Sequence, residues 1–244
     1  MRSVDLLLSL LYPPRCPACD RALHSPRRPQ LCRSCRGTLT PLRDTDACPR
    51  CSEPGSSRLC ARCCGEAPPF GRARACVVYR DDDLSSRLLQ RWKYGGDHVV
   101  GAAIATLLAE HRSPHAECYD VVVPVPLHPS RLAQRGFNQA AVLARALARP
   151  HERIAVDALQ RDVTTASQAT LGRIERQRNV HDAFTARPGL CLTGRSVLLV
   201  DDVVTTGATV RACCAALLAA GATRIDVWTF ARTPPRAAVQ RARA

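Results

Sequence analysis

From residue 75 onward the chain alternates two hydrophobic rhythms. Short, continuous apolar runs read as strands: "ACVVYR" (75–80), "YDVVVPVPL" (119–127), "RIAV" (153–156), "SVLLVDD" (196–202) and "RIDVWTFAR" (224–232). Between them, "LSSRLLQRWK" (84–93), "HVVGAAIATLLAEH" (98–111), "NQAAVLARALA" (138–148) and "GATVRACCAALLAAGA" (207–222) read as helices. A strand that is apolar throughout is covered on both faces, and strands that alternate with helices build parallel sheets. The pattern therefore predicts an α/β domain over residues 75–244, with helices on both faces of a parallel sheet. A further short amphipathic helix is expected at residues 3–11.

The first 64 residues have little of that rhythm, so they bury little core. They hold nine of the fourteen cysteines, eight of them in C-x-x-C pairs: Cys16/Cys19, Cys32/Cys35, Cys48/Cys51 and Cys60/Cys63. Each such turn points two sulfurs at one ion, and two turns close a tetrahedral Zn(Cys)4 site. Residues 1–64 thus read as a zinc-ribbon module holding one or two structural zinc ions. The Pro/Gly segment "GEAPPFGRAR" (65–74) reads as a linker to the α/β domain. The simplest pairing joins neighbours along the chain. An interleaved pairing, and Cys64 in place of Cys63, also satisfy the spacing. Zinc here serves folding, or folding together with contact to a nucleic acid or protein.

The cysteine count alone would suit a disulfide-rich secreted protein. However, "MRSVDLLLSLLYPPRC" at the start has an apolar patch broken by Asp5 and no small-residue cleavage site. No stretch reaches the roughly 18 apolar residues of a membrane span. The sequence is accordingly read as that of a cytoplasmic protein without membrane insertion. Its net charge of +14 suits an anionic partner such as a nucleotide, a polyphosphate or nucleic acid. Of 35 basic residues all but Lys93 are arginine, a bias that GC-rich coding would also produce. The bias singles out Lys93, beside Tyr94 in "WKYGGD" (92–97), as a candidate polyphosphate contact.

The chemistry concentrates in "LLVDDVVTTGATV" (198–210). In parallel sheets ligands sit at the carboxyl ends of strands. Asp201 and Asp202 there suit vicinal ribose hydroxyls or a metal. The following Thr205, Thr206, Gly207, Ala208 and Thr209 lead into a helix whose free N–H groups and dipole favour a phosphate. A plainer reading makes Asp202 a solvated acid and a threonine the helix cap.

This stretch resembles the signature of type I phosphoribosyltransferases that binds 5-phosphoribosyl 1-pyrophosphate (PRPP). The resemblance implies that Asp201 and Asp202 hold the ribose hydroxyls and that Thr205, Thr206, Gly207, Ala208 and Thr209 hold the 5-phosphate. "PVPLHPSRLAQRGFNQAAVLARALA" (124–148), "TTASQATLGRIERQRNVHDAF" (164–184), "WKYGGD" and the cysteine pairs are similar to the ComF family of competence-associated proteins. In the wider class the loop after strand 120–124 meets pyrophosphate. Pro124 and Pro126 lack amide hydrogens, so Arg131 and Arg135 are the candidates there, with Phe137, Asn138 and Gln139 orienting the loop or touching a base. Asn138 also suits a helix cap. A mobile hood is implied over 168–179, with Arg173 and Arg176 on the pyrophosphate; a solvated basic helix is the plain alternative. The implied reaction is magnesium-assisted displacement of pyrophosphate from C1 of PRPP by a nitrogen nucleophile. The sequence offers no evident general base. A PRPP sensor that does not catalyse, and an adaptor that handles single-stranded DNA or binds DNA-uptake proteins, are the rival expectations. His128 follows the pyrophosphate loop and suits either the pocket or the surface. Cys213 and Cys214 read as core.

Overall fold

The computed structural model describes residues 13–23, 29–55, 57–112, 117–161 and 183–235. The amphipathic helix expected at 3–11 lies outside them.

Five strands form one all-parallel sheet: β1 (Ala73–Val78), β2 (Val121–Pro124), β3 (Arg153–Ile154), β6 (Ser196–Val204) and β7 (Arg224–Arg232). Their order is β1-β7-β6-β2-β3, so the long apolar strands β6 and β7 lie inside the sheet. A separate antiparallel pair joins β4 (Leu159–Arg161) to β5 (Phe184–Ala186). Among the described residues the α-helices are α1 (Arg33–Thr38), α2 (Ala61–Gly65), α3 (Leu84–Gly95), α4 (His98–His111), α5 (Pro129–Arg135), α6 (Gln139–Leu147) and α7 (Ala208–Ala219). β1 begins at Ala73, so the last residues of the segment read as a linker belong to the sheet. Among the described residues no helix is long and apolar enough to cross a membrane.

The pleat of β6 sorts its side chains between two cores. Val197 and Leu199 pack with Val210, Cys213, Cys214 and Leu217 of α7. Leu198 and Val200 pack on the other face with Leu88 and Trp92 of α3, Ile104 and Leu108 of α4, and Leu143 of α6. Helices α3 and α4 approach so closely that a Cβ on Gly101 would fall 2.3 Å from Trp92 Nε1. Gly101 is therefore the residue that lets Trp92 bury. A bidentate Arg112–Glu152 pair, nearly free of solvent, ties the end of α4 to the segment before β3, and Arg112 also donates to Leu147 O at 2.7 Å.

The cysteine-rich part straddles the sheet at edge strand β1. Its segment 40–42 pairs with the open side of β1 through Leu42 N–H to Cys76 O and Val78 N–H to Thr40 O, each 2.9 Å. That pairing covers an edge that would otherwise present free backbone groups. Cys16 and Cys32 lie in the core on the α3/α4 face, while Cys48, Cys51 and Cys63 lie in the core on the α7 face.

Candidate functional site

β6 continues to Val204, so both acids sit in the second half of the strand and point to opposite faces of the sheet. Asp202 faces α3, where its Oδ2 meets Lys93 Nζ at 2.7 Å with both side chains largely enclosed. Asp201 faces α7. Burial raises its carboxyl, the adjacent Asp202 charge raises it further, and the Asp202 N–H and Lys93 oppose them; the result is a pKa of about 7. The strand ends in a loop that turns at Gly207, whose φ of +81° is open to glycine at little cost. Gly207 is also the N-cap of α7; it has no side chain to cap the helix, and the Ala208 N–H donates instead to Thr206 Oγ1 at 3.4 Å.

Both acids open onto one cleft of about 180 Å³ whose walls include Lys93, Tyr94, Arg131, Arg135, Asn138, Gln139, Arg161 and Thr209. The segment from Arg135 to Gln139 builds the far wall. Phe137 stacks on Trp92 with ring centroids 6.0 Å apart and tilts against His98 at 5.1 Å. Asn138 donates from Nδ2 to Val125 O and accepts from Ala140 N–H, so one side chain caps α6 and holds the loop after β2. Arg135 Nη1 donates to Gln139 Oε1 at 2.6 Å. This bond fixes the Gln139 amide, whose Nε2 has no acceptor among the described residues. The Val125 amide is already engaged by Val200 O, and the prolines on either side have none. Residues 124–126 accordingly offer the cleft no free backbone donor, and the side chains of Arg131, Arg135 and Gln139 stand beside them.

Arg161, which no sequence motif singles out, also lines the cleft. It ends the short strand β4, where no periodicity marks it. Burial lowers its pKa, and so does Arg131. Among the described residues neither Arg131 nor Arg161 has a carboxylate partner, and Arg161 lies over the Phe184 ring at 5.3 Å. His128 instead caps α5, accepting from Ser130 N–H at 3.2 Å, and does not line the cleft. Arg173 and Arg176 lie outside the described residues. Cys213 and Cys214 are fully buried.

Eight of the remaining cysteines form two quartets in neighbouring order: Cys16, Cys19, Cys32 and Cys35, then Cys48, Cys51, Cys60 and Cys63. Within each, all sulfurs lie within 4.8 Å of one another. Cys19–Cys32 at 3.7 Å and Cys51–Cys60 at 3.6 Å approach the roughly 3.8 Å edge of a tetrahedron with zinc–sulfur bonds near 2.3 Å. Backbone N–H groups point at the sulfurs, from Cys32 to Cys16 and from Cys60 to Cys48. Burial raises the Cys16 and Cys48 thiols, but these and neighbouring N–H donors outweigh it and bring both to about 7. Burial instead raises Cys35, Cys51 and Cys63, so one thiol of each quartet is the one most ready to ionise. Cys64 stands outside the quartet, exposed, with its Sγ toward Leu59 O.

The family description "Double zinc ribbon domain" matches residues 7–65, and "Phosphoribosyl transferase domain" matches residues 99–244. DNA utilization protein YhgH of Escherichia coli (strain K12) is 35% identical over 212 residues, which is 83% of this chain and 90% of that protein. Competence protein F of Haemophilus influenzae is 27% identical over 230 residues, 89% of this chain and 96% of the relative. Competence protein ComFC of Bacillus subtilis is 27% identical, covering 84% of this chain and 85% of the relative. The chain belongs to the ComF family. Its two cysteine quartets fit the zinc ions of the double ribbon, and this ComF-family fold joins that ribbon to a phosphoribosyltransferase-like sheet. The cleft lies at the carboxyl edge of that sheet, where parallel α/β folds carry their ligands.

Proposed function

We propose that the cleft binds PRPP with magnesium and transfers its phosphoribosyl group to a nitrogen nucleophile, releasing pyrophosphate. The observation that carries this reading is the convergence on one cleft of two carboxylates, four cations and Thr209, beside the start of α7. Asp201 and Asp202 would accept from the ribose 2- and 3-hydroxyls. Thr205, Thr206, Gly207, Ala208 and Thr209 would hold the 5-phosphate at the head of α7. Lys93, Arg131, Arg135 and Arg161 would take the pyrophosphate, joined by Arg173 and Arg176. In this reading residues 1–64 are the zinc module, 65–74 the connection and 75–244 the catalytic domain, in the cytoplasm.

Four cations set against two carboxylates leave fewer positive charges than PRPP has negative ones, so a divalent ion fits the charge balance. Magnesium would be held beside Asp201 and Asp202, the carboxylates of the cleft, and would supply positive charge to the leaving pyrophosphate. The chain's own part is positional: it fixes C1 between the diol and pyrophosphate contacts and stabilises the departing charge with guanidinium groups. Asp201, with a pKa of about 7, is the group in the cleft best matched to accept a proton near neutrality. Calorimetric titration of the zinc-loaded chain with PRPP, with and without magnesium, tests binding. Release of pyrophosphate when nitrogen nucleophiles are supplied tests transfer. Tight binding with no release under any acceptor would replace the enzyme with a PRPP sensor.

The pH dependence separates Asp201 from its surroundings. Affinity for magnesium–PRPP is expected to rise between about pH 6 and pH 8 as Asp201 ionises, and this rise should be absent in Asp201→Asn. Stability should move the other way. A carboxyl with a folded pKa above its unfolded value favours the native state fully below about pH 4, and that contribution disappears as the pH rises through about 7. Asp201→Asn should therefore melt a few degrees above wild type at about pH 8 and close to it at about pH 4. Equal melting differences at both pH values would show that Asp201 is not perturbed.

Lys93→Gln would leave Asp202 enclosed and unpaired and remove the cation that holds Asp201 down. PRPP affinity should fall about tenfold or more, given the roughly 1.5–3 kcal/mol typical of hydrogen bonds to charged groups. The midpoint of the pH dependence should also shift upward. An unchanged midpoint would mean that Lys93 does not act on the acid pair.

A second reading rests on the names of the relatives, which speak of DNA utilization and competence, and on the net charge of +14. It makes the chain an adaptor for DNA. Binding of a single-stranded oligonucleotide that weakens steeply with salt would favour it.

A further inference from the structure

The second cysteine quartet lies against the loop at residues 204–207, and the contact is polar and directional. Arg62 sits on α2 between Cys60 and Cys63. Its Nη1 donates to Thr206 O, and its Nη2 lies 3.6 Å from Glu53. Arg232 ends β7 and is 2% exposed. It donates to Val204 O at 3.3 Å and to Thr205 O, and its Nη2 lies 3.7 Å from the same Glu53 oxygen. Glu53 follows Cys51 by two residues, so the carboxylate shared by both arginines belongs to the ribbon. The carbonyls of Thr205 and Thr206 are thus held by guanidinium groups that share Glu53 of the ribbon, while Val204 O is shared between Arg232 and the Thr233 N–H at 3.0 Å. Cys51, Cys63, Phe70, Val204 and Val210 close a small apolar space behind them.

The consequence follows from the planar trans peptide. A carbonyl fixed in one direction fixes the N–H of the next residue in the opposite direction. Carbonyls 205 and 206 held in this way leave the N–H groups of Thr206 and Gly207 turned away from the ribbon, as an anion at the head of α7 needs. The first quartet makes no such contact among the described residues. It packs on the other face of the sheet, where Arg36 pairs with Glu110 of α4 at 2.6 Å and Thr106 donates to Pro29 O.

We propose that Arg62 and Arg232 are positioning residues through which the second zinc ribbon holds the 204–207 loop in its anion-binding conformation. The role in ligand affinity rests on the PRPP reading above; the role in ordering the loop does not. The two ribbons then differ in purpose: both fold the module, and the second also preorganises the site. By linkage, occupancy of the cleft and integrity of that ribbon stabilise one another.

The test uses the full zinc-loaded chain, with amide hydrogen exchange of residues 205–209 in the absence of ligand and calorimetric titration with magnesium–PRPP. Arg62→Ala keeps all eight quartet cysteines and alters a partly exposed side chain, so the fold should persist; Arg36→Ala is the matched control on the first ribbon. Arg62→Ala should speed exchange at 205–209 about tenfold and weaken PRPP binding about tenfold, the loss of roughly one charge-assisted hydrogen bond. Arg36→Ala should change neither, and Arg62→Lys should restore part of both. Unchanged exchange at 205–209 in Arg62→Ala overturns the proposal, as does faster exchange with undiminished affinity. If wild type binds no PRPP, the exchange data alone decide whether the ribbon orders the loop, and the PRPP reading falls separately.

Discussion

Asp201→Ala/Asp202→Ala is expected to lose magnesium–PRPP binding by at least about 100-fold while remaining folded. Each carboxylate is assigned to a ribose hydroxyl, and hydrogen bonds to charged groups contribute about 1.5–3 kcal/mol apiece, so two such losses reach that factor. The double variant is a clean test because the acids do not hold the fold together. Burial and the Asp202 charge hold the Asp201 carboxyl at about 7, so its ionised form is disfavoured in the native state. Removing it relieves that penalty. The offsetting cost is a Lys93 ammonium left without Asp202, at a side chain that still reaches solvent. Calorimetry on wild type and variant, with thermal melts of both at about pH 8, where Asp201 is ionised, gives the answer. Affinity retained in a well-folded double variant would remove the acids from the site and leave the cleft's cations as the main anion contact.

The second large effect concerns zinc. A well-prepared sample should contain two zinc ions per chain, one for each quartet. Cys48→Ser/Cys51→Ser should lose one of them and with it the cooperative melting of the N-terminal part. Structural zinc contributes roughly 10–16 kcal/mol in small zinc-finger peptides, as much as or more than a domain's net stability. Here the loss would spread beyond the ribbon. Cys48, Cys51 and Cys63 are buried in the same core as Leu199 and Val210 on the α7 face, so the quartet is a packing element of the sheet. Zinc content by atomic emission and melting curves before and after chelation check the expectation. A zinc-free chain that melts like the loaded one would mean that the thiols pack without an ion.

Much of the sheet is legible in the sequence. β7 has the bounds its apolar run predicts, because a long apolar run between turns has few other places to go. α4 likewise has its predicted bounds, and α3 runs two residues further than predicted, through Tyr94 and Gly95. Helix α5 escapes a sequence reading because none of its residues is buried, so it carries no apolar stripe to count. The β4–β5 pair escapes because three-residue strands carry too little alternation to register.

The sequence by itself marked the acid pair, the glycine turn and the C-x-x-C turns, because each is a pattern of residues within a few positions of one another. The tertiary structure decided the rest. It chose neighbouring over interleaved cysteine pairs and Cys63 over Cys64. It set Lys93 against Asp202 and brought Arg161 into the cleft. It also placed one ribbon on each face of the sheet and turned Arg62 and Arg232 onto the loop. Those contacts join residues far apart in the chain, and they follow from strand order and pleat, which fix the face and the edge at which each side chain emerges.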